Sequence, residues 1–170
     1  MLVKRAMSKN VVSVSVPGNR EKVLDLMRKE DKAVLPVVKG DTKQLVGLIT
    51  RSDLIVNPDE EQIAILMSTD LVTASPDDDV KDVAKKMIDN NVRRVPVVDD
   101  NGDLVGIITS FDLVSNALIK LESDDPVENF MITTVPTTWY KTPLNVAFET
   151  MKQFGLKSVL ALNDSAKLVG

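Results

Sequence analysis

Met7-Ser8-Lys9-Asn10-Val11-Val12-Ser13 returns sixty positions later as Met67-Ser68-Thr69-Asp70-Leu71-Val72-Thr73. Leu35-Pro36-Val37-Val38 returns as Val95-Pro96-Val97-Val98 at the same offset. Leu45-Val46-Gly47-Leu48-Ile49-Thr50-Arg51-Ser52-Asp53-Leu54 then matches Leu104-Val105-Gly106-Ile107-Ile108-Thr109-Ser110-Phe111-Asp112-Leu113 at fifty-nine, one residue having dropped from the turn between. A third copy opens at Phe130-Met131-Ile132-Thr133, sixty-four positions after the second. It keeps that register through Leu144, Ala147, Phe148, Met151 and Leu156-Lys157-Ser158-Val159 to Gly170, which aligns with Gly106. Such self-similarity means one supersecondary unit, copied and stacked, because so small a unit cannot bury its apolar faces alone. The expected units are 1–60, 61–122 and an incomplete third over 123–170.

Each copy carries the same local signals. A brief extended segment (Val11-Val12-Ser13-Val14; Leu71-Val72-Thr73-Ala74) precedes an amphipathic helix. In the second copy Val80, Val83, Ala84, Met87 and Ile88 recur at helical spacing, as Leu144, Ala147, Phe148 and Met151 do in the third. Asp77-Asp78-Asp79 places carboxylates at that helix's N-terminus, and Pro143 suits a first helical turn. Two β-branched runs joined by Asp99-Asp100-Asn101-Gly102-Asp103 then predict a hairpin, with Asn-Gly as its turn signal. A second helix follows Asp112, with Leu113, Val114, Ala117, Leu118 and Leu121 as its apolar face. The order is β-α-β-β-α, and two copies packed together supply the burial that one lacks.

The residue inventory narrows the function. The 170 residues hold no cysteine and no histidine, which removes disulfides, Cys/His zinc sites, thiol nucleophiles and histidine-based triads. No nucleophile–base pair or Gly-rich phosphate loop appears; Gly18, Gly40 and Gly47 stand alone, so an enzyme is not expected. A net charge of −4, with aromatics at 4%, argues against nucleic acid as a partner. Apolar runs such as Ala33–Val38 are far shorter than the ~20 residues that span a bilayer. The start, Met1-Leu2-Val3-Lys4-Arg5, lacks the apolar stretch of a secretory signal, so a cytoplasmic protein without membrane contact is expected. Asp77–Asp79 and Asp99-Asp100 are read as solvated turn carboxylates, with no metal site.

The opening Met-Ser-x-x-hydrophobic-hydrophobic-Ser/Thr, the central Val-Pro-Val-Val and the closing Gly-hydrophobic-hydrophobic-Thr-x-x-Asp-Leu resemble the CBS domain, the repeat found in cystathionine β-synthase and IMP dehydrogenase. The resemblance implies an α+β fold in which two repeats pack about a pseudo-two-fold axis and leave two clefts. It implies AMP, ADP, ATP or an S-adenosyl compound as ligand, and a regulatory role. Carried onto this chain, it gives Asp53 and Asp112 as ribose ligands. Thr50 and Thr109 then lie beside phosphate or ribose, and Val12, Ser13, Val72 and Thr73 line the base pocket. Arg93 and Arg94 take the place of a phosphate ligand; they alternate on a strand, and Arg94 is favoured. The first repeat has Ala33 and Val34 there, leaving only Lys32 or Arg51 to supply charge, and the third offers Lys157-Ser158. Unequal clefts follow, with the Arg94 cleft the functional one.

Thr-x-x-Asp also has a simpler use as a helix cap, with Asp53 and Asp112 capping without any ligand. Trp139-Tyr140 are read as packing residues. A module that senses an adenine nucleotide, with an effector protein downstream, competes with a ligand-independent dimerisation scaffold. Self-association, as a homodimer, is expected through the third unit's open edge or through the faces of the paired repeats.

Overall fold

The computed structural model describes residues 1–118, 124–156 and 158–170. Leu121 of the second repeat's last helix and Lys157 of the third lie outside the described residues. The chain divides into two compact units, Met1–Glu122 and Ser123–Gly170.

In the first unit, β1 (Val14–Val16) leads into α1 (Arg20–Lys29), whose first turn is closed by the Asn19 side chain accepting from the Glu21 and Lys22 amides. The hairpin β2 (Val34–Lys39) and β3 (Leu45–Thr50) and the short α2 (Arg51–Val56) complete the first repeat. β1 runs parallel to β2, with Val14 opposite Val37, and β2 runs antiparallel to β3. The second repeat opens on α3 (Ile63–Leu66) and continues through α4 (Val80–Asp89), β4 (Arg94–Val98), β5 (Leu104–Thr109) and α5 (Ser110–Leu118). Its first strand is reduced to one parallel bridge, Ala74 to Val97, at the place of Val14 and Val37. The expected hairpin turn is present. Asp99 Oδ1 accepts from the Asn101 and Asp103 amides, and Gly102 takes a φ of +80°, the left-handed region that glycine enters without strain.

The repeats exchange their leading segments. Val3, in a one-turn 3-10 helix (Val3–Arg5), is fully buried in the second repeat's core with Val83, Met87, Val95 and Ile108. Ile63, its counterpart, is fully buried in the first repeat's core with Val23, Met27, Leu35 and Leu54. Matching backbone bonds fix both: Val3 N–H to Asp78 O at 3.0 Å, and Ile63 N–H to Gly18 O at 3.3 Å. Burying a Val or Ile side chain stabilises by about 1.5–3 kcal/mol, so each segment is a strong tie. Further along, Ser8 pairs through both backbone groups with Ile107, and Ser68 with Leu48. These approaches need glycine: a Cβ on Gly106 would meet Met7 Sδ at 2.5 Å, and one on Gly47 would meet Met67 Sδ at 2.5 Å. The hairpins join as well, Leu45 N–H reaching Gly102 O and Leu104 N–H reaching Lys43 O.

The Asp77–Asp79 run serves this exchange and the start of α4. Asp79 caps the helix through the Lys81 amide and pairs with the Met1 ammonium at 2.9 Å, which hold its carboxyl below the ordinary range. Asp77 pairs with Lys4 at 2.6 Å. Asp78 pairs with Lys86 at 3.1 Å. Partial burial pushes the Asp78 carboxyl up, but the Ser75 amide and Lys86 outweigh it, and the net shift is downward.

In the second unit, β6 (Thr137–Trp139), α6 (Leu144–Gln153) and β7 (Leu160–Leu162) follow a 3-10 turn at Val127–Asn129. β6 and β7 pair in parallel with Thr138 opposite Ala161, the register of Val14 and Val37 carried forward. No described residue of this unit is fully buried.

Some expected core positions face outward. Ile88, Leu144 and Phe148 are 78%, 85% and 52% exposed, and Val114 is 48% exposed. In α4 the packed line is Val83 and Met87, one turn apart, and Ile88 stands about 100° round the helix from Met87. α6 belongs to a unit whose described residues form one sheet of two short strands. Pro143 stands at the N-cap, one residue before the helix rather than inside it. Trp139 and Tyr140 meet edge-to-face at 5.6 Å and both donate to Asp164.

Candidate functional site

Strand register decides which arginine can reach a cleft. Arg94 lies directly opposite Thr109 in the β4–β5 ladder, so their side chains project from the same face. Arg93, one residue earlier, precedes β4 and has no place in the ladder. In the first repeat the matching pair is Val34 and Thr50, which puts an apolar side chain where Arg94 stands.

Thr109 begins α5, and three bonds lock it to Asp112. The Thr109 amide and hydroxyl both donate to Asp112 Oδ2, at 2.8 and 2.7 Å, and the Asp112 amide donates to Thr109 Oγ1 at 3.2 Å. Thr50 and Asp53 form the same box at the start of α2, with bonds of 2.8, 2.8 and 3.2 Å. This corrects the simple capping expectation: the threonine is the cap and the aspartate sits three residues in, its carboxylate reaching back. The consequence is chemical. Oδ2 is committed to the turn, while Asp112 Oδ1 takes no hydrogen bond among the described residues and remains a fixed acceptor.

A cavity of about 320 Å³ opens beside that carboxylate. Arg94, Thr109 and Asp112 of the second repeat line it together with Ser8, Asn10, Val11 and Val12 of the first repeat's leading segment. The β2 entrance, from Asp31 to Pro36, supplies the remaining wall. The volume falls in the range of small-molecule sites, ~300–1,000 Å³. Its charged lining is balanced, Lys32 and Arg94 against Asp31 and Asp112. The Arg94 guanidinium has no hydrogen-bond or ion-pair partner among the described residues.

Of the residues singled out in the sequence, the structure gathers Val12, Arg94, Thr109 and Asp112 around this cavity, and it corrects one expectation: Lys32, Ala33 and Val34, assigned to the first repeat's own cleft, line this cavity too, because the two repeats share its wall. Arg93, Thr50, Asp53, Val72 and Thr73 do not line it. Ser13 faces two other hollows, one of about 660 Å³ beside α1 and one of about 320 Å³ near Lys9 and Lys43. Sequence reasoning passed over Ser8, Asn10 and Asp31. Ser8 and Asn10 arrive by the exchange of leading segments, which carries residues 8–12 across to the other repeat's Thr-x-x-Asp turn, and Asp31 arrives with the entrance to β2. Among the described residues no cluster of three metal-ligating side chains occurs, and no helix is long and apolar enough to cross a membrane.

Known proteins share this architecture. A protein of Methanopyrus kandleri is 36% identical over 85 residues, covering 46% of this chain and 43% of its own. The chain thus spans less than half of that relative's length. Among solved structures, the MJ1225 protein of Methanocaldococcus jannaschii superposes with a TM-score of 0.84 at 21% identity, over 100% of this chain and 68% of that one. The CBS domain pair of protein MJ0100, solved with 5′-methylthioadenosine and S-adenosyl-L-methionine, is 32% identical with a TM-score of 0.63, covering 68% and 98%. CBSX2, solved with AMP, is 25% identical with a TM-score of 0.64, covering 71% and 98%. The sequence profile of the CBS domain matches residues 3–58 and 61–118, and on that match the chain belongs to the CBS domain family.

Proposed function

We propose that the first unit is a regulatory module that binds an adenosine-containing ligand in the cavity beside Asp112. One observation carries the reading: an uncommitted carboxylate oxygen and an unpaired arginine share the wall of one cavity, built by both repeats. Asp112 Oδ1 accepts from the ribose diol, while the box with Thr109 holds the carboxylate still. Val11 and Val12 cover an apolar face of the base. Arg94 and Lys32 meet a phosphate or a carboxylate at the far end of the ligand. The ligands with which MJ0100 and CBSX2 were solved support an adenosyl group as the common part. The Thr50–Asp53 turn lies outside this cavity and has no arginine at the ladder position opposite Thr50, so the Arg94 side is the binding one.

Calorimetric titration with AMP and with adenosine tests this. Asp112→Asn keeps an oxygen for the turn and weakens both ligands, because the diol loses a charged acceptor. Arg94→Ala weakens AMP and leaves adenosine nearly unchanged. A charge-assisted bond contributes about 1.5–3 kcal/mol, so each loss is roughly tenfold or more in Kd. A scaffold without a ligand gives no saturable heat with any adenosine compound. Parent-like AMP binding by both variants refutes the site.

A further inference from the structure

Each repeat leaves its first helix by the same turn, and one copy carries a residue that the turn does not call for. α1, α4 and α6 are each followed by a residue in the left-handed region: Asp31 at a φ of +48°, Asn91 at +52° and Gly155 at +62°. The backbone bonds match as well. The Lys32, Val92 and Leu156 amides donate to the carbonyls of Met27, Met87 and Met151 in the last turn of each helix. Glycine enters this conformation without strain, and asparagine is the usual substitute. An aspartate adds a negative charge beside the unpaired carbonyls at the negative end of the helix dipole. Nothing in the fold offsets that cost. Among the described residues the Asp31 carboxylate accepts no hydrogen bond and forms no ion pair.

The turn places Asp31 on the wall of the cavity beside Asp112, next to Lys32 and together with Arg94 of the other repeat. The Lys32 ammonium, like the Arg94 guanidinium, has no ion-pair partner among the described residues. With Asp112 given to the sugar, the remaining wall offers two cations and one anion to the rest of a ligand. A phosphate uses only the cations, and Asp31 works against it. The second repeat shows that the turn forms without this charge, since Asn91 holds it there.

On the reading that this cavity takes an adenosine compound, we propose that Asp31 selects the ligand's tail. It favours a tail bearing both a carboxylate and a cationic centre, as in an S-adenosyl amino acid, over a phosphate. The tail's carboxylate meets Arg94 and Lys32, and its ammonium or sulfonium meets Asp31. Asp112 holds the sugar of either class of ligand; Asp31 discriminates between them.

Asp31→Asn is the discriminating variant, because asparagine already occupies the equivalent turn and the change removes only the charge. Calorimetric titration of the full chain with S-adenosyl-L-methionine and with AMP reads the outcome. Charge pairs open to solvent are modest, so each Kd changes about threefold, upward for S-adenosyl-L-methionine and downward for AMP. Damage to the fold weakens both ligands and cannot produce opposite signs. Adenosine, which has no charged tail, reports on the cavity itself in the parent chain. If none of the three compounds gives saturable heat, the binding site is refuted and the role of Asp31 falls with it. If they bind, but Asp31→Asn moves the two charged ligands in the same direction or moves neither, the role of Asp31 alone is overturned.

Discussion

Adding one methyl group at Gly106 tests the exchange of leading segments directly. The new Cβ would lie 2.5 Å from Met7 Sδ, 3.1 Å from Met7 Cγ and 3.2 Å from the Ser8 carbonyl oxygen. The sulfur is on a flexible side chain and can swing away, but Cγ and the backbone oxygen move only if the leading segment lifts. Overpacking of this kind costs about 1–3 kcal/mol, and the present contact belongs in that range. Urea unfolding of Gly106→Ala, with the slope unchanged, measures the loss as a lower midpoint. Met7→Ala removes the clashing side chain, so the double variant is less destabilised than the two single losses added together, by about 0.5–3 kcal/mol. Gly47→Ala provides an internal replicate, since its Cβ meets Met67 Sδ at 2.5 Å, Met67 Cγ at 3.0 Å and the Ser68 oxygen at 3.2 Å. Because Ser8 and Ile107 line the cavity, Gly106→Ala also weakens AMP, whereas Gly47→Ala does not. A neutral Gly106→Ala, or strict additivity with Met7→Ala, refutes the claim that the segment is seated this way.

Thr50→Ala removes the cap of α2 and its bond with Asp53, and costs about 1 kcal/mol in urea unfolding without touching the Arg94 cavity. The acid limb of stability depends on Asp78. Its folded pKa lies below the ordinary value of 3.8, so its contribution is complete above that pH and disappears as the pH falls through the folded value. Asp78→Asn therefore flattens the decline in melting temperature at acid pH; an unchanged acid limb contradicts the role of Lys86 and the Ser75 amide.

The repeated spacing made two repeats, the hairpin with its Asn101-Gly102 turn and the helical line of Val83 and Met87 readable from the chain, because turn chemistry and helical period are local properties. Hydrophobic spacing overstated the core where geometry narrowed it: Ile88 satisfies a helical period but is exposed. Thr109 and Asp112 were legible as a pair, since a box closed over three residues is a local property. Their companions Ser8, Asn10 and Asp31 were not, because nothing local marks them.

What the chain's order alone determined is the unit, its internal register and the chemistry on offer, carboxylates and arginines with no thiol or imidazole. What only the tertiary structure decided is which ends meet. A leading segment carries its apolar anchor, Val3 or Ile63, but the repeat that buries it is chosen by complementary shape at Gly106 or Gly47 and by charge at Asp77. These contacts join residues from twenty positions apart, Gly47 and Met67, to ninety-nine, Met7 and Gly106, and no periodicity along the chain records them.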